Sequence, residues 1–256
     1  MAQKYYVVWA GRERGIFTDW GCCKAQVDGF AGARYKSYPT RAEAEDAFRD
    51  GPGPATTARR ARPAGSKSTR QGPRTFTAAE VAEHPAQVKI FADGGCEPNP
   101  GRAGSGVAVY REGQVAELWY GLYNARGTNN TAELNALHQA LLMAGQEVER
   151  QATVAIFCDS SYAIQCITQW ASGWQKKGWQ KPGGDIKNLD LIQPAFALYT
   201  RLRASVPVLH VKGHAGIEGN ELADRMSIHG IDTREPGFTR YDPEADLAAV
   251  LALRKG

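Results

Sequence analysis

Four acidic residues occupy positions from which carboxylates can act together. Asp93 and Asp159 each close an apolar run, 88–92 and 153–158, and each is followed by glycine or serine. Ligand sites in open α/β sheets lie beyond the carboxyl ends of the strands. If these runs are neighbouring strands, both carboxylates project from one sheet edge. Glu133 falls in the first turn of a long helical pattern, and Asp224 falls in the last helix. Taken singly, each has an ordinary reading. Asn130 and Glu133 have capping-box spacing, Asp224 lies beside a Glu221–Arg225 helix pair, and Asp93 and Asp159 suit turns. Taken together they suggest a different chemistry. Converging carboxylates cannot all ionise unless cations neutralise them. Hard divalent cations such as Mg²⁺ take oxygen ligands, and two of them about 3.5–4 Å apart support attack of water on a phosphodiester. His214, flanked by Gly213 and by Ala215-Gly216, adds an imidazole suited to moving protons near neutral pH. No Ser–His–Asp or Cys–His arrangement has comparable support.

The elements that must position these groups are legible as patterns. Strands are predicted at 88–92, 104–111, 116–123, 153–158 and 208–212, with Glu112-Gly113 as a hairpin turn. Helices are predicted at 130–146, with Leu134, Leu137 and Leu141 on one face, and at 160–170, 188–203 and 219–229. Hairpins followed by strand–helix alternation imply an α/β unit, a mixed sheet covered by helices. The tail from 231 carries one apolar helical run, 245–253, whose docking place the pattern does not give. Ahead of this unit lies a small α+β pattern. It has a strand at 5–9, a partner from 16, a helix at 20–27, a strand at 33–38, and a helix opened by the capping box of Thr40 and Glu43. Residues 51–75 hold four Pro, four Gly, six basic and no acidic side chains, and nothing apolar larger than Ala. Such a segment cannot bury enough surface to order itself and predicts a disordered linker, spanning roughly 25–30 Å in root-mean-square terms.

Composition bounds the rest. The chain has 256 residues, 43% apolar and 23% charged, a globular mixture. No run approaches the roughly 18 apolar residues of a membrane span, and the amino end has no apolar signal core. Five cysteines without a C-x-x-C pair argue against a disulfide framework or a zinc ribbon. A cytoplasmic monomer with no membrane partner and no organic cofactor is expected. The surplus of the +4 net charge sits in the basic linker, which suits a polyanionic partner or a solvated tether. Trp170, Trp174 and Trp179 are interleaved with Lys176 and Lys177, and Lys181 and Lys187 follow. Rings and lysines in that mixture suit a nucleic-acid backbone, or a tryptophan seam in the core with lysines turned outward. Tyr6 and Trp20 likewise suit plain core aromatics.

Four stretches resemble, in order, the motifs of type 1 ribonucleases H. They are Ile90-Phe91-Ala92-Asp93-Gly94-Gly95-Cys96 on to Gly101, Thr128-Asn129-Asn130-Thr131-Ala132-Glu133-Leu134, Cys158-Asp159-Ser160-Ser161-Tyr162, and Lys212-Gly213-His214-Ala215-Gly216 with Asn220-Glu221-Leu222-Ala223-Asp224. The resemblance covers about 87–230. It implies a ribonuclease H-like mixed five-stranded sheet with helices on both faces. It also implies an endonuclease that hydrolyses the RNA strand of RNA–DNA hybrids by two-metal catalysis, leaving 5′-phosphate and 3′-hydroxyl ends. By the same resemblance, Asp93, Glu133, Asp159 and Asp224 hold two Mg²⁺ ions, with Mn²⁺ a substitute, and His214 is the loop histidine. Cys96, Asn99, Thr128, Asn129 and Asn130 match substrate positions. Trp170, Trp174, Lys176, Lys177 and Trp179 match the basic protrusion. Gly95 and Ser161 replace the Ser and Gln of many bacterial relatives.

The N-terminal residues resemble the hybrid-binding domain that precedes many cellular enzymes of this family. The resemblance is carried by Tyr5-Tyr6-Val7-Val8, Gly15-Ile16-Phe17-x-x-Trp20 and Ala33-Arg34-Tyr35-Lys36-Ser37-Tyr38. It makes Tyr6, Trp20, Tyr35 and Lys36 nucleic-acid contacts, and Ser37 stands where a second basic residue is common. The expected division is a hybrid-binding domain at 1–50, the linker at 51–75, a catalytic domain at 76–230 and a tail at 231–256. The alternatives are a catalytically inactive hybrid-binding protein, or a DNA nuclease or integrase-like enzyme of the same fold. The four carboxylates with His214 count against the first, and the N-terminal unit and Asn-rich second motif against the other.

Overall fold

The N-terminal apolar residues are too few for more than one thin layer of core. In the computed structural model, which describes residues 4–30, 32–49, 51, 72–181, 183–242 and 246–256, they build a three-stranded antiparallel sheet in the order β2-β1-β3. Its strands are β1 (Tyr5–Ala10), β2 (Gly15–Phe17) and β3 (Arg34–Tyr38), with helices α1 (Trp20–Val27) and α2 (Arg41–Arg49). Asp19 caps α1 by accepting the amide of Cys22, and Thr40 Oγ1 accepts the amide of Glu43 at the start of α2. Val8, Cys23 and Val27 are the buried centre. The chain divides into this unit, Met1–Ser68, and a second, Thr69–Gly256. Most of the expected linker, 52–71, lies outside the described residues.

The second unit runs β4 (Thr75–Phe76), α3 (Ala78–Ala82), β5 (Val88–Glu97), β6 (Gly101–Arg111), β7 (Gln114–Gly127), α4 (Asn129–Glu149) and β8 (Val154–Cys158). Next, α5 (Ser161–Gln165) passes through a π-helical turn, Cys166–Trp170, into α6 (Ala171–Gln175). The chain then forms α7 (Leu189–Leu202), β9 (Val208–Val211), α8 (Glu218–Thr233), β10 (Phe238–Arg240) and α9 (Leu247–Leu251). The sheet order is β10-β7-β6-β5-β8-β9-β4. Strands β5 to β7 and β10 pair antiparallel, whereas β5-β8, β8-β9 and β9-β4 are parallel. Left-handed backbone at Glu112 and Gly113 (φ 48° and 79°) makes the tight turn of the β6–β7 hairpin.

Alternation along the strands fills both faces of this sheet. Val88, Ile90 and Ala92 of β5 meet Leu134, Leu137 and Leu141 of α4 together with Ile192 and Phe196 of α7. On the opposite face, Phe91 and Phe157 pack with Leu222, Ala223 and Met226 of α8. Among the described residues no helix is long and apolar enough to cross a membrane.

Several boundaries differ from the pattern reading. The five expected strands form the body of the sheet, and the short edge strands β4 and β10 extend it to seven. Thr75, expected to close the linker, pairs with His210 across β4–β9 instead, and Arg74 is ion-paired with Glu80. The expected end at 230 is also passed, since α8 continues to Thr233. Beyond it, β10 pairs with β7 through Phe238 and Gly121. The apolar run near the end docks through Val250, which is buried in the α8-side core. Asp93 does not terminate its strand, because β6 stays paired with β5 as far as Glu97.

Candidate active site

Register decides where the central carboxylates meet. The parallel pairing of β5 with β8 stops at Ala92 opposite Cys158. The next residue on each strand is Asp93 or Asp159, so the two acids emerge side by side where β8 ends and β5 continues. Glycine lets the other two approach. A Cβ on Gly94 would lie 2.3 Å from the backbone of Ala132 and Glu133, so only a bare backbone lets α4 close on β5 there. A Cβ on Gly106 would lie 2.1 Å from the carbonyl of Ala223, which makes the same close approach between β6 and α8. Glu133 is thereby set against the sheet from α4 and Asp224 from α8. Asp93, Glu133, Asp159, Asp224 and His214 line one cleft of about 370 Å³, with Gly95, Cys96, Asn129 and Gly256 also on its wall.

Glu133 is not the cap of its helix. Thr128 caps α4 with Thr131 as its reciprocal partner, which frees Glu133, one turn further in, to face the cleft. Its Oε1 accepts from Asn129 Nδ2 at 2.9 Å, while its Oε2 is buried without a hydrogen-bond partner. Asp93 accepts the amide of Gly94 at 2.7 Å. Asp159 Oδ2 accepts from Asn220 Nδ2 at 3.2 Å. Asp224 is bound by the Arg225 guanidinium and by the amide of Gly256 at 3.1 Å. His214 is exposed and left-handed (φ 52°) in the loop after β9. Its ring lies within 4.8 Å of carboxylate oxygens of Glu221 and Asp224.

Burial and mutual repulsion both disfavour charge here. Burial pushes the Asp93 carboxyl well above the carboxylate range, and Asp159, Glu133 and Asp224 push it further. Burial, then Asp159, raises Glu133 to about 8. Burial also raises Asp159, against the opposing hydrogen bond from Asn220. Buried oxygens that push one another toward protonation, one of them without a protein partner, fit hard divalent cations.

The other expected site residues fall into three groups. Asn99 accepts the amide of Asn129 through Oδ1 at 3.2 Å, Cys96 Sγ donates to the Pro98 carbonyl, and Asn130 is exposed on the first turn of α4. Cys96 and Asn129 thus line the cleft, Asn99 is tied to Asn129, and Thr128 and Asn130 flank Asn129 in the chain at the start of α4. In the second group, Trp170, Trp174 and Trp179 pack against the α4–α7 core. Trp170 contacts Tyr162 and Trp174, and Trp179 meets Phe196 edge-on. Lys176 and Lys177 face solvent, so the seam and the outward lysines coexist.

The third group is in the N-terminal unit, where Trp20 lies between Tyr6 and Tyr35, with ring centroids 5.4 and 5.8 Å away. Trp20 is 42% and Tyr35 47% exposed, so these two rings are not core aromatics. Lys36 is exposed on the same strand as Tyr35.

Asn220 was not among the expected site residues. Its signal was the i, i+4 spacing to Asp224, which puts both on one face of the last helix.

Two family models match the chain. RNase H matches residues 85–232, and the Ribonuclease H1 N-terminal domain matches residues 4–48. Ribonuclease H1 of Mus musculus is 31% identical over 264 residues, 90% of this chain and 90% of that protein. Ribonuclease H of Methylorubrum extorquens is 37% identical over 171 residues, 66% of this chain and 72% of that protein. Among solved structures, LC9-RNase H1 superposes with a TM-score of 0.51 at 24% identity over 66% of this chain and 86% of its own, a likeness of fold. With both of its units matched, each by its own model, the chain belongs to the ribonuclease H family.

Proposed function

We propose that this chain is an endonuclease that cuts the RNA strand of RNA–DNA hybrids with two divalent ions, leaving 5′-phosphate and 3′-hydroxyl ends. The observation that carries the mechanism is the cluster itself. Four carboxylates from β5, α4, β8 and α8 line one cleft, and burial holds three of them toward protonation. Asp93, Glu133, Asp159 and Asp224 would hold the ions, Mg²⁺ first and Mn²⁺ as a substitute. Bound there, the pair would neutralise the acids, activate a water and offset charge on the scissile phosphate.

The protein's own groups do the rest. Asn220 aims the Asp159 carboxylate, and Asn129 aims that of Glu133. His214, exposed beside Asp224, moves protons between the cleft and solvent. On this reading, the side-chain amides of Asn99, Asn129 and Asn130 and the hydroxyl of Thr128 would read a 2′-hydroxyl, the group that separates RNA from DNA. Lys176 and Lys177 attract the DNA backbone over the tryptophan seam. In the first unit, the exposed Trp20 and Tyr35 with Tyr6 and Lys36 offer stacking surface and charge to the same hybrid.

Hybrids labelled on either strand, set beside duplex DNA of the same sequence with Mg²⁺ or with chelator, test the reading. Cleavage confined to the RNA strand of the hybrid and lost with chelator is expected. Equal cleavage of duplex DNA would favour a DNA nuclease.

A further inference from the structure

We infer that His210 is a positioning residue for Asp159, and that Thr75 holds its ring from the other side. The inference rests on the reading of Asp159 as a metal-holding carboxylate. His210 is half-buried near the end of β9, paired with Cys158 on one side and with Thr75 on the other. One row thus crosses three strands at the level where β8 gives way to Asp159. Within it, His210 Nε2 lies 3.0 Å from the Asp159 carbonyl oxygen and 3.0 Å from Ser161 Oγ. Nδ1 lies 2.8 Å from Thr75 Oγ1.

The partners fix the tautomer. A carbonyl oxygen can only accept, so Nε2 carries the hydrogen and shares it between Asp159 and Ser161. In the neutral ring Nδ1 is then the acceptor, and the Thr75 hydroxyl donates to it. A rigid five-membered ring with a donor on one side and an acceptor on the other spans the gap from Thr75 to Asp159. The Asp159 backbone is therefore held by His210 and its carboxylate by Asn220. The far anchor belongs to β4, where the chain enters the catalytic sheet, so the start of this unit is tied to the turn that carries a central carboxylate.

Outer partners of metal ligands typically carry about 10–100-fold of metal affinity or activity. In the full chain, His210→Ala should lower kcat about tenfold, leave KM for hybrid unchanged, and raise the Mg²⁺ midpoint by a similar factor. Calorimetric titration of Mg²⁺ into the substrate-free protein should show the same weakening, a readout independent of turnover. His210→Gln, which keeps an N–H near the Nε2 position, should return kcat to within about threefold of the parent. Thr75→Val should reproduce part of the loss. Combined with His210→Ala it should add nothing further, because the two act through one ring.

A purely structural role would lower the urea midpoint while leaving the Mg²⁺ midpoint in place, and would overturn the inference. So would His210→Ala with parental kcat. Additive losses in the double variant would remove Thr75 from the account. If His210→Ala does not fold, His210→Gln and Thr75→Val decide, the first expected near-parental and the second lowered in kcat with a raised Mg²⁺ midpoint and an unchanged KM. A parent that fails to cut hybrid would refute the proposed activity, whereas an active parent indifferent to His210 would refute this inference alone.

Discussion

Replacing Glu133 by glutamine should make the metal-free protein more stable at alkaline pH while abolishing its chemistry. Holding this carboxyl near 8 instead of its ordinary 4.5 costs the folded state about 3 kcal/mol at pH 7 and about 5 kcal/mol above pH 8, at 1.36 kcal/mol per unit. The sign follows from proton counting. Between 4.5 and about 8 the folded chain binds the proton that the unfolded chain has released. Stability therefore falls as pH rises through that window and levels off above it. The raised Asp93 and Asp159 carboxyls add losses of the same sign. Glutamine is neutral and nearly isosteric, and its Oε1 can keep the bond from Asn129.

In chelator, urea unfolding of the catalytic unit at about pH 5 should give parent and Glu133→Gln within about 1 kcal/mol. At about pH 8.5 the variant should lead by about 2–5 kcal/mol. Excess Mg²⁺ should then raise the parent by binding the folded state, and raise the variant less. A parent whose stability is flat across this range, or a variant no more stable at the alkaline end, would refute the account of a strained carboxylate cluster.

His214→Ala should lower kcat about 10²-fold, the low end for acid–base catalysis, with hybrid affinity retained; single-turnover rates and hybrid binding, measured together, check this. Removing residues 1–71 should leave kcat intact and raise KM on long hybrids, since a second binding module on the same chain adds avidity without touching the chemistry. Removing 1–75 should additionally lower kcat, because it deletes Thr75, so kinetics on both truncations separate the two effects. Gly106→Ala should cost about 1–3 kcal/mol by overpacking and lower kcat as α8 backs away with Asp224; a urea midpoint equal to the parent's would show that α8 tolerates the added methyl 2.1 Å from Ala223 O.

The parts of the fold that repeat a physical period were legible in the sequence, and the parts that depend on a partner were not. Helix α4 declared itself through Leu134, Leu137 and Leu141, and β8 through its unbroken apolar run. Asp93 looked like a strand end because Gly94-Gly95 imitates a turn; its antiparallel partner β6 keeps the backbone extended as far as Glu97. Strand β4 has two residues, too few for any alternation to show. The tail's docking hangs on Val250 in the core and on Arg254 bridging Glu97 and Asp232, pairings between distant positions that carry no local signal. For the site, the four acids suggested one chemistry only when taken together, and it was the resemblance of their motifs to type 1 ribonucleases H that lifted Glu133 above an ordinary helix cap. Asn220 and His210 serve those acids from behind, where a single polar residue on a helix or strand looks like any other.

The central claim is that these four carboxylates, acting together, cut RNA paired with DNA. The most direct measurement follows an RNA-labelled hybrid with the parent and with Asp159→Asn in Mg²⁺, reading cleavage and binding in the same samples. An amide cannot supply the anionic oxygen that the ions require. The account predicts RNA-strand products from the parent, with less than about a hundredth of that rate from the variant, and equal hybrid binding by both. Cleavage by Asp159→Asn within about tenfold of the parent, with binding unchanged, would contradict it.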